Sequence, residues 1–320
     1  MEETIEPNAL VSILTPAFNV ASYLSEAIES CLDQTYTNFE LLIVDDGSTD
    51  ATGAVAERFT VDTRVRVFRT ANQGISAARN VAITQSRGTV FALLDGDDRW
   101  MPSYLQTQLT TLRRHPEVDI VTANAINSGG PLDGVPYWPC SDQIRPISLI
   151  EMIEQEDAVH IMTVLRRSVV DLIGGFDGTY KGNEDYQFWL RAAVAGCQFI
   201  ADFTPQGYYR RRPNSISSDE RRMLTGIIRV FREIRPLCPL GCIEIGAIDR
   251  QLRRFERELL VAEARHCILT NDAAAAVTWL RRIPLRDRGP MLLALLSVAT
   301  LWPPALSYSY RAKQTIRAVK

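Results

Sequence analysis

The stretch Val90-Phe91-Ala92-Leu93-Leu94-Asp95-Gly96-Asp97-Asp98 changes character at its middle. Its first half is a continuous apolar run, the pattern of a strand covered on both faces. Three acids then fall within four residues, and they repel one another unless solvent or a cation compensates. In an open parallel sheet, ligands sit beyond the carboxyl ends of the strands, so a buried strand that ends in acids marks a candidate site.

The same alternation extends outward on both sides. Apolar runs at 11–15, 39–45, 65–68 and 118–121 read as further strands. Between the first two, Tyr23, Leu24, Ala27, Ile28, Cys31 and Leu32 recur at helical spacing, with Ser22 placed to cap them. Further helical patterns cover 50–59, 75–85 and 103–114. Strand, helix and strand in repetition predict right-handed crossovers and an α/β, Rossmann-like, mostly parallel sheet with helices on both faces. Residues 123–147 are broken by Gly129, Gly130, Pro131, Gly134, Pro136, Pro139 and Pro146, and read as a long functional loop. Helices follow at 147–155 and 184–195 with a strand at 198–203, and beyond Ser218 the pattern is helical throughout. The expected division is a catalytic domain over 1–217 and a C-terminal helical module over 218–320.

Composition narrows the function class. The 320 residues are 46% hydrophobic and 23% charged with a net charge of −3, which excludes disordered, collagenous and disulfide-scaffold chains and argues against a nucleic-acid partner. The six cysteines are scattered and read as reduced, packed thiols, Cys238 and Cys242 included. With only His115, His160 and His266 available, a His-rich zinc site or a Ser-His-Asp triad is poorly supported, and the chemistry falls to carboxylates. The first seven residues hold three glutamates and no basic residue, which reads as no secretory signal and predicts a cytoplasmic protein. Oxygen-only ligands such as Asp95 and Asp97 suit Mg²⁺ or Mn²⁺, held by one or two carboxylates plus substrate phosphates. Neither a P-loop nor a Gly-rich dinucleotide fingerprint is present to cradle those phosphates instead.

Four segments, Val11-Ser12-Ile13-Leu14-Thr15-Pro16-Ala17-Phe18-Asn19, Leu42-Ile43-Val44-Asp45-Asp46-Gly47-Ser48-Thr49-Asp50, Asn72-Gln73-Gly74-Ile75-Ser76-Ala77-Ala78-Arg79-Asn80 and Leu93-Leu94-Asp95-Gly96-Asp97-Asp98-Arg99-Trp100, resemble the successive motifs of family 2 glycosyltransferases with the GT-A fold. Gly174-Gly175-Phe176-Asp177 and Asn183-Glu184-Asp185 continue the resemblance, which covers residues 9–217. It implies a nucleotide-diphosphate sugar, with UDP the expected nucleotide, bound by Pro16, Phe18, Asn19, Asp45, Asp46, Arg79, Asp95 and Gly96. By the same resemblance Phe18 stacks on the base, Asp46 accepts from a base N–H, and Arg79 reaches the base or the phosphates. Asp95-Gly96-Asp97 becomes the family's D-x-D, with Asp97 as the direct ligand of Mn²⁺ or Mg²⁺. Asp185 becomes the base that deprotonates the acceptor and Glu184 its neighbour in orienting substrate; one base with no second nucleophilic carboxylate implies inversion. The competing readings are a non-catalytic nucleotide-sugar-binding module and a sugar-phosphate nucleotidyltransferase.

Two departures matter. Where the family often has Y-R-x-H-x-x-S, this chain has Tyr209-Arg210-Arg211-Arg212-Pro213-Asn214-Ser215, so Arg212 stands in place of a His. An Arg cannot ligate a metal, which makes Arg210 and Arg212 candidate phosphate contacts. Gln187-Phe188-Trp189-Leu190-Arg191 does not match the Q-x-x-R-W of processive synthases, which implies addition of a single sugar. His160 reads as a packed histidine, with an acceptor contact as the alternative.

The net charge conceals two opposite halves. Residues 1–207 hold 14 Lys and Arg against 28 Asp and Glu, whereas 208–320 hold 21 against 10. No run of 18 apolar residues exists, yet 289–310 carries no charge, with Trp302, Tyr308 and Tyr310 beside basic residues. That segment either packs inside the helical module or docks on an anionic membrane surface, where a lipid-linked or glycan acceptor would lie.

Overall fold

The computed structural model describes residues 5–212, 215, 219–285, 288 and 290–301. The chain begins with β1 (Val11–Ala17), α1 (Leu24–Leu32), β2 (Phe39–Asp45), α2 (Thr52–Glu57), β3 (Val65–Arg69), α3 (Ile75–Gln85) and β4 (Val90–Leu93). These four strands lie parallel in the order β3-β2-β1-β4. Every residue of β1, β2 and β4 is buried, as their unbroken apolar runs require of strands covered on both faces. β2 moves outward from β1, but β4 returns to the other side of β1. The strand order therefore reverses between β1 and β4, and a crevice opens beyond their carboxyl ends.

Ser22 does not cap α1. The helix starts at Tyr23 without a side-chain cap, and the Tyr23 and Leu24 N–H groups donate to Val20 O instead. α2 likewise starts, after Ala51, without a side-chain cap, although Asp50 Oδ1 just before it accepts from Thr52 N at 2.9 Å.

The second half of the sheet is β5 (Arg99–Trp100), α4 (Tyr104–Arg114), β6 (Ile120–Ser128), β7 (Ile144–Ile147), α5 (Leu149–Glu154), β8 (Thr163–Arg166), α6 (Arg167–Ile173), α7 (Glu184–Val194) and β9 (Phe199–Arg210). Among the described residues nine strands form one sheet: β8 runs antiparallel between β4 and β6, β9 lies parallel to β6, and β5 and β7 pair antiparallel with β9. The sheet is thus mixed. The loop expected over 123–147 is shorter than its Gly and Pro content suggested, because β6 runs on to Ser128 and β7 starts at Ile144. Asn124 and Asn127, inside that stretch, are buried in strand with their amides satisfied by carbonyls: Asn124 Nδ2 donates to Trp138 O and Phe203 O, and Asn127 Nδ2 to Val135 O. The β5–β9 pairing carries the end of β9 to the acidic turn after β4, and it requires Gly207: a Cβ there would lie 2.7 Å from both Arg99 O and Met162 Sδ.

Two compact units divide the chain, one of residues 1–218 and 233–247, the other of 219–232 and 248–320. The second is helical, built from most of α8 (Glu220–Ile234) and of α9 (Ile243–Leu269), with α10 (Ala273–Arg281) and α11 (Pro290–Leu301). Inside it, Arg221, Arg232 and Arg265 pair with Glu263, Glu256 and Glu220. Its core joins Ala264, Ala276, Val277, Leu280 and Ile283 to Leu296 and Ala299, so α11 buries part of the uncharged segment within the unit. Trp302, Tyr308 and Tyr310 lie outside the described residues. Among the described residues no helix is long and apolar enough to cross a membrane.

Candidate active site

At the carboxyl edge of β1 and β2 two loops are clasped together. Asn19, in the left-handed region at φ 52°, accepts through Oδ1 from Thr49 N at 2.9 Å and Asp50 N at 3.4 Å, while its own N–H donates to Ser48 Oγ at 3.0 Å. Asp45 Oδ1 accepts from Ser48 N at 2.9 Å. Gly47 has φ 71°, and a Cβ there would sit 2.7 Å from Asn72 N, so the turn admits only glycine. Phe18 stands 43% exposed at this rim, its ring open to a planar ligand.

Asp46 faces the 70–74 loop and is buried against it. Its Oδ1 accepts from Thr70 Oγ1 at 3.1 Å and Gln73 N at 3.0 Å, and its Oδ2 from Gly74 N at 2.7 Å. That loop leads into α3, whose Arg79 and Asn80 turn toward the segment from Gly175 to Glu184. Asn80 grips the backbone of Phe176, donating from Nδ2 to its O at 2.7 Å and accepting its N–H at 2.8 Å. The fit explains the glycine beside it, since a Cβ on Gly175 would meet Asn80 Oδ1 at 2.3 Å.

Arg79 is the centre of the arrangement. Only 1% exposed, it donates from NH2 to Asp95 Oδ1 at 2.7 Å and from NH1 to Glu184 Oε1 at 2.9 Å, with its guanidinium 5.2 Å from the Phe176 ring. Burial disfavours its charge, but Asp95, Glu184 and Asp185 outweigh burial and hold the group firmly protonated. Rather than pointing outward, this arginine ties the acid after β4 to the acids that open α7. Glu184 is raised above the ordinary carboxyl range by burial and by Asp185, against the pull of Arg79. Asp185 is raised by burial too, opposed by Arg79 and by the Tyr186 N–H, which donates to its Oδ1 at 2.7 Å.

The acidic turn itself packs on β1. Gly96 N donates to Pro16 O at 3.3 Å, and a Cβ on Gly96 would approach that carbonyl to 3.1 Å. Asp97 Oδ2 lies 2.6 Å from Arg212 Nε, although the Nε–H is not directed along that line. Arg210 donates from Nε to Asp97 O at 2.8 Å and from NH2 to Glu26 Oε2 at 2.8 Å, and its backbone N–H donates to Asp98 Oδ1 at 2.7 Å. Both arginines lie over the Tyr23 ring, at 4.6 Å for Arg210 and 5.6 Å for Arg212. Burial and the neighbouring acids raise Asp97, and raise Asp98 well above the usual carboxylate range.

A divalent cation fits this turn only in part. Among the described residues no group of three or more His, Cys, Asp and Glu side chains could hold a metal. One oxygen each of Asp95 (Oδ2) and Asp97 (Oδ1) carries no hydrogen bond from another described residue, and hard oxygen donors suit Mg²⁺ or Mn²⁺ completed by substrate phosphates.

The sequence motifs contained Asn80, Gly175 and Phe176 without revealing that Asn80 grips the Phe176 backbone in the space Gly175 leaves open. Lys181, whose Nζ donates to Gln73 O at 3.3 Å beside the Asp46 loop, had no sequence signal. His160 stands apart, buried among Tyr137, Trp138 and Tyr209 with its pKa lowered to about 3 by burial and Arg211, so it is neutral at physiological pH.

Residues 12–174 match the family described as glycosyl transferase family 2. Among curated relatives, the uncharacterized glycosyltransferase EpsJ of Bacillus subtilis (strain 168) is 41% identical over 113 residues, 35% of this chain and 33% of the relative. TuaG of the same organism, whose name assigns it to teichuronic acid biosynthesis, is 29% identical over 239 residues, 71% of this chain and 89% of the relative. The chain thus spans about a third of EpsJ but most of TuaG. Among solved structures, S. aureus TarS 1-349 in complex with UDP-GlcNAc aligns with a TM-score of 0.64 at 20% identity, covering 95% of this chain and 92% of that one. The mannosyltransferase PcManGT from Pyrobaculum calidifontis, in complex with GDP-Man and Mn²⁺, aligns at 0.59 and 18% identity over 96% and 84%. At these identities the likeness is one of fold, and the fold is GT-A.

Proposed function

The chain belongs to glycosyl transferase family 2, and from that premise we propose that it moves one sugar from a nucleotide-diphosphate sugar to an acceptor hydroxyl during assembly of a cell-surface glycan or glycolipid. The observation that carries the reading is the buried Arg79 bridge, which brings the acid of the donor turn, Asp95, and the first acid of α7, Glu184, onto one guanidinium. UDP is the proposed nucleotide, supported by the UDP and UDP-GlcNAc complexes of TarS; the surface-glycan assignment is supported by the name of TuaG.

Phe18 stacks on the base. Asp46 serves the base site by fixing the 70–74 loop, its carboxylate already accepting from Thr70, Gln73 and Gly74. Mn²⁺ or Mg²⁺ held by Asp97 and Asp95 would neutralise charge on the departing nucleoside diphosphate. Asp185 takes the acceptor proton: burial raises its pKa against the pull of Arg79, which makes its carboxylate a stronger base than an ordinary aspartate. Glu184, anchored by Arg79, orients the acceptor, and a single base implies direct displacement with inversion. Addition of one sugar is supported by the use of Gln187 and Arg191. Arg191 Nε donates to Gln187 Oε1 at 3.0 Å and its NH1 and NH2 to Ile173 O and Gly175 O, so both residues are committed to holding the loop before α7. The acceptor is a glycan or lipid-linked sugar, and the basic C-terminal module is the part that would meet an anionic lipid surface.

The test is transfer, or donor hydrolysis, in the presence of Mn²⁺ by wild type, Asp97→Ala and Asp185→Asn. Asp185→Asn is expected to lower kcat by about 10²- to 10⁴-fold with donor binding retained. Equal activity in all three proteins would refute the site.

A further inference from the structure

We propose that Arg212 is a tethered counter-ion of Asp97 that competes with the divalent cation, keeps the cation out until the donor arrives, and then swings onto the donor diphosphate. The inference rests on the metal reading of Asp95 and Asp97 given above and deepens it.

The acids after β4 have partners within the chain. Asp95 is paired by Arg79 and Asp97 by Arg212, while Asp98 is buried and accepts the Arg210 N–H. A guanidinium 2.6 Å from Asp97 competes with a lone divalent cation for that carboxylate and repels it directly. A nucleoside diphosphate brings new negative charge to the same place. The cation then gains phosphate ligands, and the arginine gains a fork-shaped anion that matches its geometry better than one carboxylate oxygen.

Of Arg79, Arg210 and Arg212, Arg212 is the least tied among the described residues and so the one placed to make that exchange. Arg79 is sealed in the core and doubly bonded. Arg210 is fixed by Asp97 O, Glu26 and the Tyr23 ring. Arg212 follows the last residue of β9, its side chain is 26% exposed, and its Nε–H is not aligned on Asp97. A histidine at this position could ligate the ion; an arginine opposes it. The consequence is an order of events in which cation and donor enter together, so that the cation is not held by the empty enzyme.

The experiment is Mn²⁺ binding to the full chain, followed by the loss of the free-ion EPR signal, with and without UDP. It compares wild type, Arg212→Gln, Arg212→Lys and Asp97→Asn. Without nucleotide, Arg212→Gln is expected to bind Mn²⁺ on the order of tenfold more tightly than wild type, the effect of deleting one positive charge a few ångströms away. Arg212→Lys, which keeps the charge, is expected to stay near wild type, and this separates charge from any loss of fold. With UDP present, wild type is expected to gain Mn²⁺ affinity steeply and Arg212→Gln much less, because the glutamine has no charge to hand to the diphosphate. Equal Mn²⁺ affinity of wild type and Arg212→Gln without nucleotide, with UDP-dependent binding still abolished by Asp97→Asn, overturns the counter-ion role and leaves the metal site standing. Absence of Mn²⁺ binding even with UDP, or binding indifferent to Asp97→Asn, overturns the metal reading and the inference with it.

Discussion

Arg79 is a buried cation shared between two acids. Removing this cation leaves the buried Glu184 and the partly buried Asp95 uncompensated, and breaking a buried pair costs about 3–5 kcal/mol. Arg79→Met is therefore expected to lower the urea midpoint strongly, by more than Arg212→Gln at its partly exposed site; similar midpoints would show that the bridge is dispensable. The acids around it make a statement about pH. Asp97, Asp98, Glu184 and Asp185 all have raised folded values, so the folded state holds their protons to higher pH than the unfolded chain does. Their contribution favours folding below the ordinary carboxyl range and is lost as pH rises through the raised values. Asp98→Asn should flatten that fall in urea titrations between mildly acidic and neutral pH. For catalysis the sign is opposite, because Asp185 must be ionised. The acid limb of kcat/KM is expected above the ordinary aspartate value of about 3.9, and a rate flat down to pH 4 would exclude Asp185 as base.

At the scale of elements, the site depends on two joints. The first is the grip of α3 on the 174–184 segment through Asn80 and Phe176. Asn80→Ala removes two hydrogen bonds and is expected to lower kcat at least tenfold, with UDP affinity changed less than threefold, since the Asp46 loop proposed for the base makes its own hydrogen bonds to Thr70, Gln73 and Gly74. Loss of UDP binding in step with kcat would show that the joint does not separate the two halves. The second is the close pairing of β5 with β9, where Gly207→Ala would force a methyl against Arg99 O and Met162 Sδ and cost about 1–3 kcal/mol. Thermal unfolding measures it, and because β9 delivers Arg210 and Arg212, the same variant should weaken donor binding.

The whole molecule joins an acidic unit of GT-A fold to a basic helical one. Within the helical unit, part of the basic charge is already spent on Glu220, Glu256 and Glu263, and α11 contributes Leu296 and Ala299 to the core. Deleting residues 290–320 is accordingly expected to destabilise that unit, read as a lower and broader thermal transition. Deleting 302–320 tests the membrane proposal: co-sedimentation with anionic liposomes should fall in the shorter chain, and unchanged sedimentation would remove that segment from any lipid contact.

The alternating runs over 11–121 were enough to determine the parallel half of the sheet, because period and burial are local properties of a strand covered on both faces. The acids of 45–46, 95–98 and 184–185 were equally plain, since charge beside a strand end or helix start is written in consecutive residues. The second half of the sheet was not legible. Asn124 and Asn127 look like loop residues until the carbonyls that satisfy them come from distant segments, and β5 is only two residues long. Nor could the sequence say where Arg79 and Arg212 would point. A guanidinium that could reach outward to phosphate instead turns to Asp95, Glu184 or Asp97, and which acid it meets depends on long-range packing between residues up to 115 positions apart, as with Asp97 and Arg212. Local pattern determined the elements and the chemistry at their ends; only the tertiary structure decided which charges neutralise one another, because Coulomb pairing depends on distance in space and not along the chain.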